Sequence, residues 1–113
     1  MSIESEIEQL EDAKDLHQKK MDLRQTALRL AENKDFQKII IEGYYRDEAA
    51  RLASILGDER MTDDDEKVIQ DIRGIGALIR YLKTIVINGD IAEKQYNSAE
   101  DMIDHLRESG DEE

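Results

Sequence analysis

Apolar residues recur at steps of three and four through most of this chain, and no run alternates with period two over a strand's length. The pattern predicts helices throughout. The first segment runs from Ser2 to about Asn33. Ser2 can cap it, and Glu4 and Glu6 suit the positive end of a helix dipole. Its stripe opens as Ile3, Ile7, Leu10. The same heptad continued would place Lys14, His17, Met21 and Arg24, mostly polar, on that face. A shifted stripe of Ala13, Leu16, Leu23, Ala27 and Leu30 is therefore expected to take over after a stammer-like slip. Thirty residues of helix span roughly 45 Å. A chain of 113 residues cannot bury that length along one helix, so residues 1–15 are expected to project or to pair with another chain.

The second segment starts at Asn33 or Asp35 and runs over about 34–56, with Gly57 as its stop. Phe36, Ile39, Ile40, Ile41, Tyr44, Tyr45, Ala49, Leu52, Ala53, Ile55 and Leu56 give it a wide apolar face, which predicts substantial burial. Thr62 before Asp63-Asp64-Asp65 marks a third start. Val68, Ile72, Ile75, Ile79, Leu82 and Val86 follow at steps of 4, 3, 4, 3, 4, so this helix covers about 63–88 or longer. Asn88-Gly89 reads as its end or a kink, with Ile91 and Ala92 available to carry it to about Tyr96. Ser98 caps an expected short C-terminal helix to about Arg107, and residues 108–113 read as a frayed acidic tail.

The second and third helices are joined by about six residues and should form an antiparallel hairpin. Facing positions then add to about 120. Gly43 falls opposite Gly76 and Ala77, which predicts a close crossing of backbones there. The expected architecture is thus all-α in a single domain of residues 1–113: a long N-terminal helix, a tight helical hairpin and a short C-terminal helix.

Composition sharpens this reading. The chain has no Pro, Cys or Trp. The missing Cys removes disulfides, thiol nucleophiles and Cys-based zinc sites. No apolar run approaches a membrane span and no signal-peptide pattern follows Met1, so neither a membrane partner nor secretion by a signal peptide is expected. The net charge of −12 argues against direct nucleic-acid binding. That charge is uneven. Residues 1–15 carry −5, 58–71 carry −5 and 98–113 carry −6, whereas 16–57 and 72–97 are each +2. Acids separated in this way make a wholesale nucleic-acid mimic a weaker reading than the total implies.

Candidate chemistry is sparse. His17 and His105 have no ligand-like partners at helical spacing. Asp63-Asp64-Asp65-Glu66 lacks the Gly of a calcium loop, since its sixth position is Val68, and suits a helix N-terminus better. Gly74-Ile75-Gly76 has no preceding strand and no further Gly, so it fails as a phosphate loop. Tyr44 and Tyr45 beside Arg46 and Arg51 fit a protein interface better than base stacking. No serine has an evident base. No enzyme, no metal and no cofactor is expected. Ile3, Ile7, Leu10, Tyr44 and Tyr45 are the candidate protein-interaction residues.

Residues 27–96 carry a resemblance. Ala27-Leu28-x-Leu30, Asn33-x-Asp35-Phe36-x-x-Ile39-Ile40, Gly43-Tyr44 and Glu48-Ala49-x-Arg51-Leu52 form one block. Ile72-x-x-Ile75-Gly76-Ala77-Leu78-x-x-Tyr81-Leu82-x-Thr84 forms a second. Together they resemble a family of small all-helical proteins of tailed bacteriophages. The resemblance implies a phage origin, a role in virion assembly, and a place in the host cytoplasm or virion. It carries over no functional residue. The implied partners are proteins, either further copies of this chain or other phage proteins. A soluble acidic inhibitor or adaptor that occupies a basic groove on a host or defence protein is the alternative.

Overall fold

The computed structural model describes residues 2–58 and 65–111. Among them the fold is all-α, with no strand. The elements are α1 (Ile3–Glu32), α2 (Lys34–Phe36), a π-helix (Gln37–Glu48), α3 (Ala49–Leu56) and α4 (Asp65–Asp111). The chain divides into two compact units where the sequence suggested one domain. One comprises Met1–Ala27 with Ile85–Glu113, and the other Leu28–Thr84.

Local chemistry sets most of the boundaries. The Ser5 N–H donates to Ser2 Oγ at 3.1 Å, closing the first turn of α1. Asn33 takes an extended conformation between α1 and α2, and its Oδ1 accepts from the Phe36 N–H at 2.9 Å. Gly57 ends α3 without entering the left-handed region, at φ −81°. The Asp58 N–H instead reaches the Ile55 carbonyl at 3.0 Å in a tightened last turn. The expected Thr62 cap lies outside the described residues.

In the second unit, Leu52, Val68 and Ile75 form the buried core, and Ala49, Ile55, Leu56 and Ile72 pack against it. Tyr44, Glu48 and Leu52 line a groove opposite Gln70, Asp71, Gly74 and Ile75. These pairings keep the antiparallel register in which facing positions add to about 120. The expected glycine crossing is not formed. A Cβ on Gly43 would meet only its own helix, at the Lys38 carbonyl 3.3 Å away, and one on Gly74 would meet nothing.

The π winding explains this difference. Bonds from i to i+5 widen the turn, so the Lys38 carbonyl lies under Gly43. The β-branched run Ile39-Ile40-Ile41 is a poor α-helix former, which lowers the cost of the rewinding. Side chains aligned on an α-helical wheel then diverge. Ile40 and Ile41 are half-buried while Ile39 is 66% exposed, and Tyr44 and Tyr45 face solvent. The substantial burial expected of this face is therefore realised at Leu52, Ala49, Ile55 and Leu56 and not at Ile39, Tyr44 and Tyr45.

The first unit pairs two long helical segments. Residues 3–27 of α1 run antiparallel to residues 85–111 of α4. A Cβ on Gly110 would lie 3.9 Å from Ile3, Arg24 packs on Gly89, and Arg107 donates to Glu11 at 3.2 Å. Residues 3–14 thus lie along α4 and do not project from it. No separate C-terminal helix exists. α4 passes without a break through Asn88-Gly89 and Ser98 to Asp111, because Ala92, Ala99 and Ile103 continue its buried stripe.

The stammer expected in α1 is also absent. Ile3, Ile7, Leu10, Lys14, His17 and Met21 are half-buried and Arg24 is buried, so the first heptad continues inward despite its polar residues. The leucines of the shifted stripe face outward. Partner chemistry decides the matter: α4 offers Asp90, Glu93, Tyr96 and Glu100 to the polar positions.

Candidate functional site

Two of the inward polar positions of α1, Arg24 and Lys14, are matched by groups of α4. Arg24 is 7% exposed, and its guanidinium donates to Asp90 at 2.8 Å and to Glu93 at 3.2 Å. The hydrogen bond to Asp90, then that to Glu93, raises its pKa above the usual arginine value. Its Nε is enclosed without a hydrogen-bond partner. Gly89 makes the approach possible, since a Cβ there would sit 2.4 Å from Arg24 Cβ. Lys14 lies 4.8 Å from the centre of the Tyr96 ring and 3.8 Å from Glu100. This pairing fixes which faces of α1 and α4 point inward, and hence which are left to solvent.

Several long apolar side chains are left outside among the charged ones. On α1, Leu16 and Leu23 are 60% and 50% exposed, seven residues apart, in a row that includes Ala13, Lys20 and Ala27. On α4, Ile87, Ile91 and Met102 are 56%, 49% and 51% exposed, at steps of 4 and 11 that keep them on one side of the helix. An open groove runs between α1 and α4 in this unit, and of these exposed long side chains only Met102 lines it. Leu10, Ala13 and His17 line one wall, and Gln95, Ser98 and Met102 line the other. His17 Nδ1 is enclosed beside this groove without a hydrogen-bond partner.

The candidate interaction residues separate. Ile3, Ile7 and Leu10 are half-buried on the inward face of α1, so much of their surface serves the pairing with α4, although Leu10 also reaches the groove. Tyr44 and Tyr45 are exposed on the π-helix of the other unit. There Arg51 donates to Glu48 at 3.0 Å, and this hydrogen bond holds the Glu48 carboxyl below the usual glutamate range. Leu16, Leu23, Ile87, Ile91 and Met102 were not among the candidates. The signal for Leu16 and Leu23 was their heptad spacing with Leu30, which the sequence alone assigned to the inside.

Charge is redistributed by the pairing. The unit of residues 1–27 and 85–113 holds sixteen acids and six bases, net −10, leaving −2 for residues 28–84. The acidic segments 3–15 and 98–111 lie side by side in one unit. Among the described residues no cluster of three His, Asp or Glu side chains could hold a metal ion, and no helix is long and apolar enough to cross a membrane.

Compared with protein-family models, curated proteins and solved structures, the chain has no match.

Proposed function

We propose that this chain is a non-enzymatic structural or assembly protein of a phage particle, acting through helix–helix association with copies of itself or with other phage proteins. One observation carries the reading. The long aliphatic residues Leu16 and Leu23 of α1 are kept out of the chain's own helix pair, while Lys14, His17 and Arg24 are turned in. A helix pair that gives part of its inward face to polar contacts and leaves heptad-spaced leucines outside has a surface suited to further helices. The resemblance of residues 27–96 to small phage proteins supplies the biological setting.

A second reading is favoured by the pairing of the acidic termini. A unit of net −10 could seat an inhibitor or adaptor on a basic protein groove through long-range attraction. Cross-linking of the tagged full-length chain in infected cells separates the two. Capture of capsid, portal or tail proteins supports assembly. Capture of a host nuclease or polymerase, with none of these, overturns it in favour of the acidic adaptor.

A further inference from the structure

We propose that residues 37–48 form a winding switch. The segment exchanges between the π-helix of the structure and an α-helix, trading Tyr44 for Tyr45 on the face packed against α4. The inference concerns the second unit and does not rest on the assembly reading.

Neighbouring residues of the same kind make both windings workable. In the π winding Phe36, Ile40, Tyr44, Glu48 and Leu52 share one face at steps of four. Phe36, Ile40 and Glu48 are half-buried, Leu52 is buried, and Tyr44 lines a groove with Leu52 and Ile75. A helix of about 3.6 residues per turn, wound back from the same Leu52, would align Ala49, Tyr45 and Ile41 instead, at steps of three and four. Each place on the face then passes to an adjacent residue of the same kind, from Ile40 to Ile41 and from Tyr44 to Tyr45. Two packings that bury the same residue types lie close in energy, which is what a bistable element requires.

The two ends confine the change. α3 is held by Leu52 against Val68 and Ile75. At the other end Asn33 interrupts the helix with ψ at 125°, so its dihedrals can absorb a rotation of α2. Twelve residues make about 3.3 turns at 3.6 per turn, and fewer than three at one residue more per turn. Rewinding therefore carries Phe36 through more than half a turn, away from α4. Gln37 Nε2 donates to the Ala31 carbonyl at 2.7 Å across the Asn33 break, a contact that the rotation gives up.

Gly43 biases the balance. In the π winding a Cβ there would stand 3.3 Å from the Lys38 carbonyl, five residues back. In an α-helix the carbonyl bonded to residue 43 belongs to Ile39. The missing side chain thus relieves the π state, and glycine is a poor α-helix former.

NMR couplings across hydrogen bonds identify the carbonyl that each amide uses, and relaxation dispersion detects the second state. In the full chain the Gly43 N–H should couple to Lys38. Exchange should be confined to residues near 34–48, with a minor state of a few per cent and helical carbon-13 shifts. Tyr44→Lys removes the tyrosine that the π face uses, so the α state should dominate and the Gly43 coupling should move to Ile39. Tyr45→Lys should keep the Lys38 coupling and quench the exchange. Gly43→Ala touches neither tyrosine and should raise the α population roughly fivefold. No exchange in the native chain, random-coil shifts in its minor state, or one response to both lysine variants overturns the switch. An Ile39 coupling in the native chain overturns it at the ground state. Should a lysine variant unfold the unit, Gly43→Ala decides, because an α population that stays level or falls overturns the proposal.

Discussion

Replacing Gly89 by alanine should destabilise the protein, against the sign that helix propensity alone would give. Gly89 lies well inside α4. In an exposed helix interior, Gly→Ala gains about 0.8–1 kcal/mol. The added Cβ would stand 2.4 Å from Arg24 Cβ, 2.7 Å from its Cδ and 2.9 Å from its Cγ. The Cβ is anchored to the α1 backbone, so no rotamer change relieves the overlap. Reaching ordinary carbon–carbon contact requires the two helix segments to part by about 1 Å. That movement stretches the bonds from Arg24 to Asp90 and Glu93, now 2.8 and 3.2 Å. Overpacking of this kind costs about 1–3 kcal/mol, which outweighs the propensity gain across most of its range. Gly74→Ala on the same helix is the internal control, because its Cβ would meet nothing within 4 Å. Thermal unfolding followed by circular dichroism should show Gly74→Ala raising Tm by roughly 4 °C and Gly89→Ala lowering it by a similar amount. If both substitutions raise Tm alike, Arg24 and Gly89 do not pack as described and the first unit's register is wrong.

Other outcomes follow from the same contacts. Ile75→Ala, at the most buried isoleucine of the second unit, should cost about 2–4 kcal/mol in urea unfolding, whereas Ile39→Ala at a largely exposed site should stay within about 0.5 kcal/mol. Glu48 should titrate below ordinary glutamates by carbon-13 NMR, and Arg51→Gln should return it to the usual range. Its lowered pKa means that its contribution to stability is complete above the ordinary glutamate range and is lost as pH falls through the lowered value, so an unchanged acid limb in Arg51→Gln would contradict the pairing. Arg24→Gln should lower Tm clearly more than Arg107→Gln, since Arg24 is buried between two carboxylates and Arg107 forms one exposed pair with Glu11.

Helical class, the N-terminal caps and the stripe of α4 were legible in the sequence because each depends on residues within one or two turns. Ser2, Asn33 and the series Val68, Ile72, Ile75, Ile79, Leu82, Val86 needed no distant partner to be read. The hairpin register was legible too, since a short connection fixes which positions face each other. Three features were not. The π winding over Gln37–Glu48 turns Ile39, Tyr44 and Tyr45 out of a face that α-helical periodicity would bury. Gly89 looked like a stop or kink, because nothing nearby in sequence revealed the arginine 65 positions earlier that needs its missing side chain.

The inward face of α1 is where sequence and tertiary structure part most clearly. By itself the sequence determined that α1 is a helix with two competing stripes, one rich in leucine and one containing Lys14, His17 and Arg24. Hydrophobicity favoured the leucines. Only the fold could reverse that choice, because a buried charge is tolerated when carboxylates meet it, and Asp90 and Glu93 arrive from the far end of the chain. The same pairing brought the acidic segments near both ends of the chain into one unit and left Leu16 and Leu23 exposed.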